Sequence, residues 1–109
     1  TENRLFQQIT KLLEANHGHI SRKELSDALS YSGTYLNAIC KKYSGLSLFD
    51  YGMHFCMKEA SIRLLDTDQT IADISRDLGF TNQTHFYKVF KEKYKMTPMQ
   101  YRKQNQTKE

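Results

Sequence analysis

Residues 82–91 read Asn-Gln-Thr-His-Phe-Tyr-Lys-Val-Phe-Lys. Phe86, Val89 and Phe90 recur at three- and four-residue spacing, which marks the inward side of a helix. Asn82, Gln83, Thr84, His85, Lys88 and Lys91 fall outside that stripe. They put donors, acceptors and cations together with no large aliphatic side chain among them. Asn and Gln carry a donor and an acceptor side by side and can pair with both edge groups of an adenine. Lys donates to guanine, and a Thr methyl touches a thymine methyl. A second strip, Gly33, Thr34, Asn37, Ala38 and Lys41, lies opposite Leu36, Ile39 and Cys40. Its small members, Gly33 and Ala38, imply that it discriminates less and relies more on apolar contact and shape. The chemistry available to both strips is recognition rather than bond making.

The side chains that make or break bonds are poorly placed. Nucleophilic catalysis needs Cys or Ser beside a His with an orienting partner. Cys40 and Cys56 sit inside apolar helical patterns, and no spacing brings a His to either. They form no Cys-x-x-Cys pair and no zinc spacing, so they read as buried free thiols of a reducing cytosol. His17-Gly18-His19 has no Cys or acidic cluster beside it, and His54 lies on a crowded helix. The expectation is a protein without catalytic residues, metal or cofactor.

The strips need helices to hold them. Leu5, Phe6, Ile9, Leu12 and Leu13 make an amphipathic helix that Gly18 stops. Ser21-Arg22-Lys23-Glu24 is a capping box, in which Ser accepts from the Glu amide and Glu accepts from the Ser amide. Leu25, Ala28 and Leu29 form the stripe of the short helix behind it. Another helix starts near Ser32 or Gly33 and ends at Gly45, with Tyr35 and Tyr43 flanking its apolar side. From Ser47 to Asp66 the apolar residues face more than one way, as suits a helix sandwiched between two packed units. Thr70-Ile71-Ala72-Asp73 opens the fifth helix, with Ile74 and Leu78 inward and Gly79 at its end. Thr81 or Asn82 caps the sixth. Thr97, Pro98 and Gln100 start the seventh in the order cap, first position, third position. Lys103 to Glu109 are polar and predict a frayed end.

Much of this occurs twice. Ser21…Glu24 returns as Thr70…Asp73, Leu25 and Leu29 as Ile74 and Leu78, and Ser30-Tyr31-Ser32 as Gly79-Phe80-Thr81, each 49 residues on. Leu36, Ile39, Cys40 and Lys41 return as Phe86, Val89, Phe90 and Lys91, and Ser47…Asp50-Tyr51 as Thr97…Gln100-Tyr101, 50 residues on. The second copy thus has one extra residue between turn and helix. A capped short helix, a tight turn with an aromatic, and a second helix make a helix-turn-helix. The sequence predicts an all-α fold of about seven helices. It comprises two helix-turn-helix lobes, residues 1–46 and 67–109, joined by a linker helix over 47–66.

In such a unit the second helix enters the major groove and its N-terminal residues meet base edges. Two units reading one face of a duplex lie about 34 Å apart, and a helix from Ser47 to Asp66 spans about 30 Å. Gly33, Thr34, Asn37, Ala38, Asn82, Gln83, Thr84, His85 and Lys88 are therefore the candidate base-reading residues. Ser32, Thr81 and Thr97 at helix starts, with Lys41, Lys91, Lys95 and Arg102, are the candidate phosphate contacts. The net charge of +4, from 16 Lys and Arg against 12 Asp and Glu, suits a polyanion. The competing reading is a helix-turn-helix that docks on a protein, and the polarity of Asn82, Gln83, Thr84, His85 and Lys88 argues against it. No apolar run approaches a membrane span and no signal peptide opens the chain. A cytoplasmic location, on the nucleoid when bound to DNA, is expected. The start at Thr1 reads as a piece of a longer protein.

The stretch from Thr70-Ile71-Ala72-Asp73-Ile74 through Gly79-Phe80-Thr81-Asn82-Gln83-Thr84-His85-Phe86-Tyr87-Lys88-Val89-Phe90-Lys91 to Thr97-Pro98-Met99-Gln100-Tyr101-Arg102 resembles the DNA-binding domain of AraC/XylS-type transcription regulators. Tyr31-Ser32, Tyr35-Leu36, Lys41-Lys42 and Gly45 fit the same pattern in the first half. The resemblance implies a bacterial regulator with a two-lobed, seven-helix fold that binds duplex DNA in two adjacent major-groove segments. It places base reading on Thr34, Asn37 and Ala38 and on Gln83, Thr84, His85 and Lys88. It also implies a companion effector or dimerisation domain, usually N-terminal, and control of transcription, in many such regulators by activation through contact with RNA polymerase and in some by repression. Four residues depart from the family's pattern: Ala38 and Cys56 stand where Arg is frequent, Cys40 where Phe is usual, and Lys95 where Gly is usual.

Overall fold

The computed structural model describes residues 1–106. Those residues form seven helices and no strand: α1 Glu2–Ala15, α2 Arg22–Leu29, α3 Gly33–Ser44, α4 Leu48–Asp66, α5 Ile71–Asp77, α6 Gln83–Tyr94 and α7 Pro98–Gln106. Two compact units divide inside α4: one is Thr1–Cys56, the other starts at Met57.

The first unit packs α1, α2, α3 and the start of α4 around an aliphatic core. Leu5, Ile9 and Leu13 on α1 meet Leu25 of α2, Leu36, Ile39 and Cys40 of α3, and Leu48 of α4. The spacing 5, 9, 13 is one face of a helix. The aromatic residues lie around this core: Phe6 stacks on Tyr43 and on Tyr51, and the Tyr51 hydroxyl hydrogen-bonds Thr10 at 3.0 Å. Gly18 has φ +76°, and a Cβ built there would stand 1.9 Å from the Gly52 carbonyl oxygen on α4. The turn after α1 is thus in backbone contact with α4, which only glycine permits. Ala28, expected in the apolar stripe of α2, is exposed, and the stripe is carried by buried Leu25 and half-buried Leu29.

The second unit is built on aromatic rings instead. Phe86 and Phe90 of α6 are fully buried. Phe80 meets Phe86 edge-on at 5.2 Å, Phe90 packs on Tyr94 at 4.6 Å, and Tyr101 of α7 closes on Phe90 at 5.4 Å. Ile71 and Ile74 of α5, Leu78 at its C-cap, and Met57, Ala60 and Leu64 of α4 complete the core. Each half of α4 buries its own short stripe, Leu48, Gly52 and Cys56 in one and Met57, Ala60, Ser61 and Leu64 in the other. Phe49, Ile62 and Leu65 stay exposed, so fewer of its apolar residues are covered than the sequence suggests.

Arg102 corrects the sequence reading. Expected to meet a phosphate, it is half-buried and donates inward: Nε to the Leu64 carbonyl at 2.9 Å, Nη1 to Gln69 at 2.6 Å, and Nη2 to Thr67 at 3.0 Å and Arg63 at 3.5 Å. The Leu64, Thr67 and Gln69 carbonyls lie in the last turn of α4 and the loop after it, beyond the helical ladder, while the Arg63 carbonyl also accepts from the Thr67 amide at 3.1 Å. A planar fork with five donors satisfies several at once. α7 is helical from Pro98 through Gln106, so it includes the start of the polar segment that begins at Lys103. Residues 107–109 lie outside the described residues.

α6 ends on Lys95 at φ +64°, where α3 ends on Gly45 at φ +81°. A residue with a Cβ pays about 1 kcal/mol for that conformation. Lys95→Gly should therefore raise stability by about 1 kcal/mol in urea or thermal melts. Gly18→Ala meets both a left-handed φ and a backbone carbonyl, and should cost roughly 2 kcal/mol or more. Arg102→Met should destabilise by about 2 kcal/mol. A neutral Arg102→Met would show that its four carbonyls find other donors.

Candidate nucleic-acid interface

The two candidate reading helices start on side-chain caps. The Ser32 hydroxyl accepts from the Tyr35 amide at 3.1 Å, and Asn82 Oδ1 accepts from the His85 amide at 2.8 Å. Of the two caps offered by the sequence for α6, Asn82 takes the role. Thr81 stays outside the helix and exposed, as the extra residue of the second copy. The turns themselves repeat: Ser30 and Gly79 are both left-handed, at φ +62° and +92°. The aromatics that follow differ. Phe80 is half-buried against Phe86 and His85, while Tyr31 is exposed and packs on Tyr35 at 5.3 Å.

Outward from these caps, α3 exposes Thr34, Ala38 and Lys41, and α6 exposes Gln83, Thr84, His85, Lys88 and Lys91. Residues 34, 38 and 41 have the spacing of 84, 88 and 91, so each helix presents the same strip one and a half to two turns long. The buried stripes Leu36, Ile39 and Cys40 and Phe86 and Phe90 hold the opposite side. Lys41, Lys88 and Lys91 form no ion pair among the described residues. Lys42, by contrast, is bound to Glu2 at 2.6 Å, which holds its ammonium above the usual lysine range. The His85 ring stands edge-on to Phe80 at 5.4 Å, which fixes its plane while leaving it exposed.

Three expected base readers are otherwise engaged. Asn37 is half-buried and its Oδ1 accepts from the Leu48 amide at 2.8 Å, capping the start of α4. Asn82 Oδ1 caps α6. Bidentate pairing with adenine needs that oxygen, so each of these residues keeps only its amide donors. Gly33 is half-buried: a Cβ there would stand 2.4 Å from both Cγ and Cδ of Arg22, so the Arg22 stem crosses the first residue of α3. Arg22 was overlooked in the sequence, where it is simply the second residue of the capping box. Its one signal is a glycine at the start of a reading helix, 11 positions on.

Among the candidate phosphate contacts, Ser32 keeps its hydroxyl proton for an outside acceptor while its oxygen caps α3. Thr97 is half-buried and engaged both ways, its oxygen accepting from Gln100 and its amide donating to Gln100 Oε1 at 2.9 Å. Thr81 and Lys95 are exposed. Glu24 carries the reciprocal capping box with Ser21, and the Ser21 amide holds its carboxyl below the usual range. Burial pushes the Cys40 thiol up, away from thiolate character. Among the described residues no three His, Cys, Asp or Glu come together as metal ligands. No helix among them is long and apolar enough to cross a membrane.

Comparison with known proteins agrees with this architecture. The profile of a helix-turn-helix domain family matches residues 25–104. The regulatory protein PocR of Salmonella typhimurium is 34% identical over 101 residues, which cover 89% of this chain and 33% of PocR. The regulatory protein SoxS of Escherichia coli is 33% identical over 72 residues, covering 66% of this chain and 67% of SoxS. The crystal structure of the C-terminal domain of the two-component response regulator yesN from Fusobacterium nucleatum superposes with a TM-score of 0.78 at 31% identity. It covers 88% of this chain and 95% of that one. The chain spans about a third of the length of the first curated relatives it matches. With its repeated capped turn, its two outward polar strips and a profile match over most of its length, the chain belongs to the AraC/XylS family of helix-turn-helix transcription regulators.

Proposed function

We propose that this domain binds duplex DNA in a sequence-dependent way, α3 and α6 each reading one of two adjacent major-groove segments. The observation that carries the reading is the equivalence of the two exposed strips, Thr34, Ala38 and Lys41 on α3 and Thr84, Lys88 and Lys91 on α6. Each is polar or small, free of large apolar groups, and backed by a buried stripe that keeps its helix rigid. A strip of this kind is a poor docking face for another protein. On α6, Gln83 and Lys88 are the strongest readers, with Thr84 and His85 beside them. On α3, Thr34 and Ala38 offer methyl groups to thymine rather than hydrogen bonds. Ser32, Thr81, Lys41, Lys91 and Lys95 position the domain on phosphates. Thr97 is better explained as a structural cap, with Pro98 and Gln100 beside it.

PocR and SoxS are regulators, and the chain spans only about a third of the first curated relatives it matches. The proposal therefore extends to a C-terminal reading domain within a bacterial regulator whose companion domain senses an effector or dimerises. Activation through RNA polymerase is the mode that the family resemblance favours.

Selection of bound duplexes from a randomised pool of about 25 base pairs, followed by footprinting, tests the reading. Two short preferred patches about one helical turn apart are expected. Gln83→Ala should relax preference at one base position, at a cost of roughly 1–3 kcal/mol. Lys91→Ala should weaken all sequences alike and reduce the salt dependence of binding by about one charge. An even loss across all sites with Gln83→Ala would remove base reading from that face.

A further inference from the structure

Arg22 is the first residue of α2, a position where the helix dipole favours an acid. Its side chain is exposed, and no hydrogen bond or ion pair engages its guanidinium among the described residues. Lys23, next to it, pairs with Asp27, so the contrast is local. A cation placed against the helix dipole and left unpartnered contributes nothing evident to the fold, which is the pattern expected of residues kept for a site. The Arg22 stem nevertheless has a defined seat. Cγ and Cδ lie 2.4 Å, and Nε 3.6 Å, from the place a Gly33 Cβ would occupy. Any side chain at position 33 would expel the stem. Glycine at the first position of α3 leaves open the space in which the Arg22 stem lies.

Resting on the DNA-binding reading above, we infer that Arg22 reads a guanine in the major groove, its guanidinium carried across Gly33 into the place that a side chain of residue 33 would fill. The N-terminal residues of a reading helix are the ones that meet base edges. Arg to guanine O6 and N7 is the commonest specific contact there. The N-terminal end of α3 supplies no such cation: Gly33 and Ala38 are small, Thr34 is short, Asn37 keeps only its amide donors, and Lys41 stands about two turns further on. The guanine reader of the first unit is thus delivered by the supporting helix, and the apolar, weakly discriminating strip expected from α3 alone is completed by α2.

The test is selection from a randomised duplex pool with the 109-residue chain as wild type, Arg22→Lys and Arg22→Ala, and then titration of the wild-type consensus and its single-base variants. Arg22→Lys keeps the charge but loses the two-pronged fork. Both variants should lose the preference at one G·C pair, binding the consensus roughly 10- to 100-fold more weakly while binding the variant at that pair almost as before. Gly33→Ala should weaken the same preference with Arg22 still present, and adding it to Arg22→Ala should change nothing further. Thermal melts keep these readings separate from folding, since both positions lie at the surface of helix starts. If Arg22→Lys binds and selects like wild type while Arg22→Ala weakens every sequence evenly, the residue holds a phosphate and the inference falls. Unchanged profiles in both variants overturn it equally. A wild-type chain that enriches no sequence would instead remove the DNA reading on which it rests.

Discussion

Seven helices in about a hundred residues leave many backbone amides without helical partners, and one hydrogen bond answers this constraint at every helix start. A side-chain oxygen accepts from the amide three residues on: Thr1 from Arg4, Ser21 from Glu24, Ser32 from Tyr35, Ser47 from Asp50, Thr70 from Asp73, Asn82 from His85 and Thr97 from Gln100. Each such cap is worth about 1 kcal/mol, a large share for a domain whose whole stability is of order 10 kcal/mol. Helices as short as α2 and α5 would be marginal alone. Caps and a narrow buried stripe let them hold the reading helices with one side open.

Capping also competes with recognition. Asn is a good base reader and a good cap, and here Asn37 and Asn82 are both committed to backbone amides. On the proposed reading, recognition falls to residues with no structural duty, Gln83, Thr84 and Lys88 on α6 and Thr34 and Ala38 on α3. The same reasoning separates the cations. Arg102 donates to four carbonyls and belongs to the fold, Lys42 belongs to Glu2, and Lys41, Lys88 and Lys91 remain available to a polyanion.

The two units reach one local design by different packing. Cys40 stands in the first where Phe90 stands in the second. The first core is accordingly aliphatic, with α1 laid over it and Gly18 pressed on Gly52. The second, where the C-terminal half of α4 stands in the place of α1, fills its interior with Phe86, Phe90, Tyr94 and Tyr101 and ties α7 down through Arg102. A flat ring covers more area per residue than a leucine, which suits a unit whose helices α5 and α7 are short.

The amino-acid sequence by itself determined the helices, their caps, the repeat and the two outward strips. All of these depend on residues within a few positions of one another, where periodicity and side-chain-to-backbone geometry are sufficient. Ser21…Glu24 can form its box only within one turn, and Phe86…Phe90 can lie on only one side of a helix. What the tertiary structure decided are the contacts between residues far apart in the chain. Arg102 reaches carbonyls 33 to 39 residues away, Asn37 reaches Leu48, and Arg22 lies over Gly33. A basic or amide side chain looks the same in the sequence whether its donors meet solvent, a phosphate or a buried carbonyl. Only the placement of acceptors around it tells these apart, and that placement is set by packing that no local pattern encodes.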